Sequence, residues 1–245
     1  MNYRFIIQYD GTRYSGWQKQ GNTDQTIQGK LEAVLEKLAG EPVEVHGSGR
    51  TDAGAHACGQ AANAHFHTER SCGQIKDFLN RYLPQDIAVL DVRTAPHRFH
   101  SRLNAKQKTY CYRIHTGQVR DVFTRKYTHH MAQDFDLEAM RAAAALLTGT
   151  HDFTSFCGNR RFKKSPVRTI TQILIEQKDQ ELQLWFTGDG FLQNMVRILT
   201  GTLAEVGMGK RPADSMTDIL EAKNREAAGE ALPAQGLTLM SVSYE

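Results

Sequence analysis

The sequence has few of the residues that would support disulfide bonding or membrane insertion. Its four cysteines form no C-x-x-C pair and are widely spaced, at Cys58, Cys72, Cys111 and Cys157. This spacing argues against a structural zinc site and fits reduced thiols in a cytosol. No apolar run approaches the roughly 20 residues of a membrane span, and residues 1–10 lack the pattern of a signal peptide. We therefore expect a cytoplasmic protein with no membrane partner.

Several ligand-binding motifs are also missing. The ten histidines include no H-E-x-x-H motif, so we expect no metal. The loop at residues 47–56 contains G-x-G, but the third glycine of the dinucleotide motif G-x-G-x-x-G would fall at Asp52. The Gly-Lys-Ser/Thr end of a Walker loop is absent as well. These gaps exclude the common nucleotide-cofactor and zinc-protease signatures.

Acidic residues are missing from two segments, although the net charge of the whole chain is only +3. Residues 93–113 and 160–168 contain no Asp or Glu. Their cations include Arg98, Arg102, Lys106 and Lys108 in the first segment, and Arg160, Arg161, Lys163 and Lys164 in the second. Such blocks suit a phosphate backbone, whereas a solvated surface is the simpler reading of either block alone. Two blocks together favour a nucleic-acid partner.

The most informative stretch is the glycine-rich loop that carries Arg50 and Asp52. It follows a short β-branched run and is predicted to be a loop at the end of a strand. In extended backbone, residues i and i+2 point the same way, so the two side chains can share a face. An Asp beside a fixed cation stays ionised and can act as a nucleophile or a base. A plain turn with a surface ion pair is the alternative.

The hydrophobic pattern predicts an α+β protein. Residues 1–94 read as β-α-β-β-α-β, with Thr26 and Ser71 as the predicted N-caps of the two helices and Gly40 as the end of the first. This order matches the split β-α-β, ferredoxin-like arrangement. Residues 108–114 form a predicted strand with Tyr110 and Tyr112 on one face, either as a stacking platform for bases or as core aromatics. The second half predicts a helix capped by Asp136, a hairpin turning at 177–180, a helix over 191–206 and a closing strand over 237–244. We divide the chain into an N-terminal half, residues 1–105, and a C-terminal half, residues 106–245.

The run Gly49-Arg50-Thr51-Asp52-Ala53-Gly54-Ala55-His56-Ala57 resembles the G-R-T-D-A-G-V-H-A segment of the tRNA pseudouridine synthase A family. Ala55 in place of Val is its one departure. The resemblance extends to residues 9–18, to the K-x-Y-x-Y pattern at 108–112, and to the segments 151–156 and 191–197. Residues 232–237 resemble A-P-A-x-G-L, with Leu232 where Ala is expected. The similarity therefore covers nearly the whole chain.

This resemblance implies isomerisation of uridine to pseudouridine in the anticodon stem-loop of tRNA, at tRNA positions 38, 39 and 40, with no cofactor. It also implies two ferredoxin-like or RRM-like halves with antiparallel sheets joined across a central basic cleft, and a homodimer. Asp52 would be the catalytic aspartate, Arg50 would help to move the base out of the stack, Tyr110 would face the flipped uridine and Arg197 would pair with Asp52. The residues assigned to RNA binding are Thr51, His56, Arg98, Arg102, Lys108, Arg160, Arg161, Lys163 and Lys164.

Two other functions are compatible with parts of the sequence. One is a non-catalytic RNA-binding module, but the RNP1 pattern is absent and the Asp52 loop would have no role. The other is a hydrolase with an aspartate nucleophile, which would normally need a second carboxylate as acid or base. The surroundings of Arg197 alone favour a surface residue whose stem covers apolar groups.

Overall fold

The computed structural model describes residues 1–159 and 165–245. Within this part, the chain forms ten strands and five α-helices, so it mixes both kinds of element as predicted. The strands are β1 (Asn2–Tyr9), β2 (Val45–Gly47), β3 (His56–His65), β4 (Ile87–Ala95), β5 (Gln107–His115), β6 (His129–His130), β7 (Gly149–Asp152), β8 (Val167–Lys178), β9 (Glu181–Gly188) and β10 (Leu237–Ser243). The helices are α1 (Ile27–Ala39), α2 (Cys72–Tyr82), α3 (Leu137–Leu147), α4 (Met195–Gly207) and α5 (Ser215–Ala222). In the described ranges, no helix is both long enough and apolar enough to cross a membrane.

The chain divides into two compact units. The first unit contains residues 1–106 and 239–245, and the second contains residues 107–238. The division predicted from the sequence, 1–105 and 106–245, assigned the final strand to the second half. The structure instead places residues 239–245 in the first unit, because this end of the chain makes its contacts there.

The first unit is built on an antiparallel sheet. Strand β1 lies between β4 and β3, β2 pairs with β3, and β10 follows β3 in the strand order. Tyr3, Phe5 and Ile7 alternate along β1 and are almost completely buried, as expected for one face of a strand. Helix α1 contacts β2 and helix α2 contacts β4, so the two helices cover this apolar side.

Local capping signals start α1, α2 and α3 where the sequence predicts. The Thr26 hydroxyl accepts a hydrogen bond from the Gly29 N–H at the start of α1, and Gly40 ends that helix with φ +78°. Ser71 and Gln74 form a capping box at the start of α2. Asp136 caps α3 by accepting from the Ala139 N–H.

The second unit contains the strand order β5-β9-β8-β7, with β6 pairing parallel to β5. The predicted β8–β9 hairpin is present and turns through Asp179, which has φ +51°. Helix α4 begins at Met195, whereas the sequence pattern predicted a start at residue 191. The reason is local, because Asn194 has φ +59°, a left-handed conformation that cannot continue a right-handed helix.

Candidate functional site

The loop that carries Asp52 connects β2 to β3 in the first unit. Its last turn is closed by the Ala55 N–H, which donates to the Asp52 carbonyl oxygen over 3.1 Å. Gly54 has φ +81° in this turn, a conformation that favours glycine. Asp52 is half-buried and therefore remains reachable at the end of the strand pair.

A buried polar network supports the start of this loop. The Ser48 N–H donates to the Ala61 carbonyl oxygen over 2.7 Å, and the Ser48 hydroxyl donates to Gln60 Oε1 over 2.7 Å. Gln60 Nε2 in turn donates to the Gly49 carbonyl oxygen over 3.0 Å. Ser48 and Gln60 are completely buried. Because buried polar groups are costly to leave without partners, these bonds fix the path of the loop.

Thr51 points into the protein. It is 6% exposed, and its hydroxyl lies 2.8 Å from the hydroxyl of Tyr9, which is 4% exposed. Its carbonyl oxygen accepts a hydrogen bond from the Trp17 N–H over 3.2 Å. Burial is the largest influence on the Tyr9 phenol and raises its pKa, so the hydroxyl stays protonated at neutral pH. The sequence assigned Thr51 to RNA binding; in the structure its side chain is buried against Tyr9, one residue before Asp52.

His56 is also buried, at 3% exposure, although the sequence assigned it to RNA binding. The Gly11 N–H donates to its Nδ1 atom over 3.0 Å. Asp10 Oδ1 lies 3.3 Å from the same nitrogen. His56 therefore ties the end of the loop to the chain after β1.

Residues 11–17 wrap around the Asp52 loop at close range. The Gly54 N–H donates to the Tyr14 carbonyl oxygen over 3.2 Å. A Cβ atom at Gly16, which has φ +93°, would lie 2.7 Å from the Thr51 carbonyl oxygen. A Cβ atom at Gly47 would lie 2.4 Å from the Trp17 ring. Only glycine fits these two positions, so the packing leaves the loop little room to move.

Asp86 anchors the wrapping segment. Its Oδ1 accepts a hydrogen bond from the Tyr14 hydroxyl over 2.6 Å, and its Oδ2 accepts from Arg13 Nε over 3.0 Å. Burial acts to raise the pKa of Asp86, but the hydrogen bonds from Tyr14 and Arg13 outweigh it and hold the pKa below its usual value. Asp86 is therefore ionised at neutral pH and supports Tyr14 against the loop.

Arg50 lies on the exposed side of the loop. Its Nε atom donates to Gln18 Oε1 over 3.0 Å, and Gln18 Nε2 donates to Gln28 Oε1 over 2.7 Å. This chain of contacts positions the guanidinium near the surface, where it can reach a ligand. The predicted role of Arg50, helping to move the base out of the stack, stays a prediction.

Tyr110 belongs to the second unit and lies on β5. It is 7% exposed, and its ring makes an edge-to-face contact with Phe191 at a centroid separation of 5.2 Å. Tyr112, two residues further on, is completely buried, and its hydroxyl donates to the Pro233 carbonyl oxygen over 2.7 Å. Tyr112 is therefore a core aromatic and not part of a stacking platform for bases, the other alternative that the strand pattern left open.

Arg197 also belongs to the second unit, in the first turn of α4. It is half-buried, with Nε donating to the Leu232 carbonyl oxygen over 2.6 Å and Nη1 donating to Asn194 Oδ1 over 2.9 Å. These two bonds fix the direction of the guanidinium. The sequence surroundings alone favoured a surface residue whose stem covers apolar groups, whereas the structure shows a half-buried guanidinium held by these two bonds.

The remaining predicted RNA-binding residues are basic. Arg98 and Arg102 are exposed in the first unit, and Lys108 is half-buried at the start of β5 in the second. The second basic block, Arg160, Arg161, Lys163 and Lys164, lies outside the described residues. Over residues 1–159 and 165–245, no three His, Cys, Asp or Glu side chains are arranged to hold a metal ion.

Comparison with known proteins gives matches over almost the full length. A family model described as tRNA pseudouridine synthase matches residues 5–104 and 143–245. The tRNA pseudouridine synthase A of Bacillus sp. (strain KSM-64) is 46% identical over 243 residues, which are 99% of each chain. The protein of the same name from Geobacillus sp. (strain WCH70) is 46% identical over 240 residues, 98% of this chain and 96% of that one. The tRNA pseudouridine synthase A of Acetivibrio thermocellus is 42% identical over 243 residues, which are 99% of each chain.

A chain of one solved structure, titled as a Cbf5-Nop10-Gar1 complex, aligns with this protein; the alignment covers 83% of this chain and 45% of the other chain. The TM-score is 0.37 and the sequence identity is 10%. A likeness this weak adds nothing to the sequence matches.

Proposed function

Because this chain belongs to the tRNA pseudouridine synthase family, we propose that Asp52 performs the catalytic step on a uridine of the tRNA anticodon stem-loop. The family match and the relatives at 42–46% identity identify the protein as an isomerase that acts on tRNA. The observation that carries the assignment of Asp52 is its position, half-buried in a loop whose flanking residues are fixed by buried hydrogen bonds.

The chemistry suits a single carboxylate. The N1–C1′ bond of the uridine breaks, the base turns, a C5–C1′ bond forms, the proton on C5 is released, and N1 takes up a proton. The net reaction is an isomerisation, so no atom is oxidised and no water is consumed. An ionised Asp52 can attack C1′, or it can remove a proton from the sugar on the way to an elimination product. Both routes use the same residue in the same position.

The target base must leave the stack before Asp52 can reach the sugar. Extrusion of a base costs a few kcal/mol, which contacts to the RNA must offset. We propose that Arg50 contributes to this step, supported by its exposure and by its contact with Gln18. We further propose that Tyr110 faces the flipped uridine and that Arg197 pairs with Asp52, as the family resemblance implies. The fixed guanidinium of Arg197 supports the second role, since a directed cation suits a carboxylate.

Three broader features complete the proposal. The two units have the ferredoxin-like arrangement, which the order β4-β1-β3-β2 of the first unit supports. The protein acts in the cytoplasm, where reduced cysteines are expected. It assembles as a homodimer, which light scattering after size-exclusion chromatography would test by giving twice the mass of one 27.6 kDa chain.

Tritium release from a tRNA transcript labelled with [5-³H]uridine tests the function. C5 loses its hydrogen only when it becomes the glycosidic carbon, so the wild-type protein should release tritium. We expect Asp52→Asn to release none while it still binds tRNA. Asp24→Asn is the matched control, because the Asp24 side chain is 82% exposed and lies in a different loop. Release by Asp52→Asn at the wild-type rate would remove Asp52 from the mechanism. Binding without release by the wild type would indicate an RNA-binding module.

A further inference from the structure

The first unit's sheet carries basic and imidazole side chains on the face opposite its apolar side. In the strand register, His46 lies opposite Asn63, Asn63 opposite Arg4, and Arg4 opposite Arg93. Directly opposed residues of antiparallel strands project from the same face. His65 is two residues beyond Asn63 on β3 and therefore shares this face. None of these five residues is acidic.

Two buried asparagines attach a further segment, residues 96–104, to this face. Asn2 Nδ2 donates to the carbonyl oxygens of Pro96 and Phe99, each over 2.9 Å. Asn63 Oδ1 accepts from both the N–H and the hydroxyl of Ser101, each over 2.8 Å. Asn2 and Asn63 are 3% and 1% exposed. The segment is part of the first basic block, so the backbone that carries Arg98 and Arg102 is attached to the sheet.

This attachment brings four imidazoles together in two pairs. The rings of His46 and His100 are stacked with centroids 4.9 Å apart, and those of His65 and His97 meet at 5.1 Å. Burial, followed by the neighbouring His97, lowers the pKa of His65, and burial followed by His46 lowers that of His100. In each pair, one imidazole therefore takes up a proton less readily than an isolated histidine.

The charged groups around the two pairs are mainly positive. The N-terminal ammonium group donates to the Phe66 carbonyl oxygen over 2.8 Å and helps to lower the pKa of His65. Arg102 is exposed and contributes to the lowered pKa of His100. The carboxylate of Glu44 lies 3.8 Å from His46 Nδ1 and is 76% exposed, so water screens it strongly. On the same face, Asp91 is already paired with Arg93 at 2.8 Å.

We propose that His46, His65, His97 and His100, together with Arg98 and Arg102, form a pH-dependent contact surface for RNA phosphates. This set of residues is named the imidazole surface. The proposal rests on the proposed function, since the tRNA substrate is the polyanion that would supply the phosphates. Arg98 and Arg102 carry a permanent positive charge, and the proposal adds to them four histidines whose charge depends on proton uptake.

Proton uptake by the imidazoles and phosphate binding are thermodynamically linked. A phosphate next to an imidazole favours the protonated form, so the imidazole pKa is higher in the complex than in the protein alone. Binding then takes up protons. The gain in affinity is complete below the pKa of the unbound protein, and it is lost as the pH rises through the higher pKa of the complex. Because an ordinary His titrates near pH 6.5 and the pKa values of His65 and His100 lie lower, proton uptake by these two residues in the unbound protein begins below about pH 6.5, and RNA binding moves it to higher pH.

Fluorescence anisotropy with a labelled tRNA transcript tests the proposal at about pH 5.5, 6.5 and 7.5 and constant ionic strength. The variants are His65→Asn/His97→Asn and His46→Asn/His100→Asn, in which Asn keeps polarity without titrating. We expect the wild-type Kd to fall by about tenfold or more between pH 7.5 and 5.5, the change expected for uptake of about half a proton or more over this range. Each double variant should lose most of this gain. His67→Asn is the control, since His67 is exposed on the same stretch but belongs to neither pair.

An equal pH dependence in the wild type and both double variants would overturn the proposal, and so would a wild-type Kd that does not change with pH. Thermal unfolding checks that the variants fold, and the exposed pair His65 and His97 should tolerate substitution. Calorimetry of tRNA binding to the wild type in two buffers with different ionisation enthalpies measures proton uptake without any variant. A failure of the proposed function would appear separately, as absent tritium release at pH 7.5.

Discussion

Replacing Tyr9 by Phe removes one hydroxyl from beneath the Asp52 loop and leaves the rest of the side chain in place. The Tyr9 and Thr51 hydroxyls lie 2.8 Å apart, and both residues are buried. Tyr9 also interacts with Gln60, the residue that holds the start of the loop. The substitution therefore leaves Thr51 without one hydrogen-bond partner in a site that water reaches poorly.

The cost follows from that burial. Leaving a buried polar group without its partner costs about 1–3 kcal/mol, so we expect the free energy of unfolding to fall by about that amount. Thr51→Val, which has nearly the same shape, should cost a similar amount. In the double variant, neither hydroxyl is present without the other. The double variant should therefore lose about 1 kcal/mol less stability than the sum of the losses in the two single variants.

Activity should respond as well, because Asp52 directly follows Thr51. A misplacement of about 1 Å at a reacting group can cost 10²-fold in rate, and a smaller shift is expected here. We therefore expect kcat to fall by about tenfold in Tyr9→Phe. The KM for tRNA should change little, because Tyr9 is buried and does not reach the RNA.

Urea denaturation followed by tryptophan fluorescence gives the stabilities, and single-turnover tritium release gives the rates. Tyr3→Phe is the matched control on the same strand, because the Tyr3 hydroxyl makes only a long contact of 3.5 Å with Met1 Sδ. Additive effects of the Tyr9 and Thr51 substitutions would show that the two hydroxyls are not coupled. A stability loss with unchanged kcat would show that this network does not position Asp52.

Three further substitutions test other contacts. Gly47→Ala places a Cβ 2.4 Å from the Trp17 ring and should cost about 1–3 kcal/mol of stability by thermal unfolding, whereas Gly21→Ala, with no atom within 4 Å of its Cβ, should not. Asp86→Asn should lower the free energy of unfolding by about 1 kcal/mol at pH 7. Because the folded pKa of Asp86 lies below its usual value, this contribution exists above about pH 4 and should vanish as the pH falls through the folded pKa, as urea denaturation over pH would show. Arg197→Lys keeps the charge but not the forked donor geometry, so tritium release should fall by at least about tenfold; a wild-type rate would contradict the proposed pairing.

Local signals in the sequence predicted the helices well. Thr26, Ser71 and Asp136 each cap the helix they were expected to cap, because a cap depends only on the next few residues. The β8–β9 hairpin followed from alternation on both sides of a short polar turn. The family was recognisable because the motif around Asp52 is long and unusual in composition.

Contacts between distant parts of the chain were not predictable in the same way. Gln60 lies in a stretch that reads only as a strand, and its bonds to Ser48 and Gly49 depend on how β3 folds back beside the loop. The burial of Thr51 and His56 has the same origin, since Tyr9 and Gly11 approach them from the end of β1. A residue pattern reports which face a side chain occupies, but not which distant strand covers it.

The first unit is made of two segments that are separated in the sequence, residues 1–106 and 239–245, so they are synthesised at different times. The second unit is one continuous stretch, residues 107–238, and all of it leaves the ribosome before the first unit is complete. The first unit must wait for its last strand, where the Lys106 N–H meets the Ser243 carbonyl oxygen and the Tyr244 hydroxyl meets the Ser101 carbonyl oxygen. The unit that carries Asp52 therefore lacks its last segment until the whole of the second unit has been synthesised.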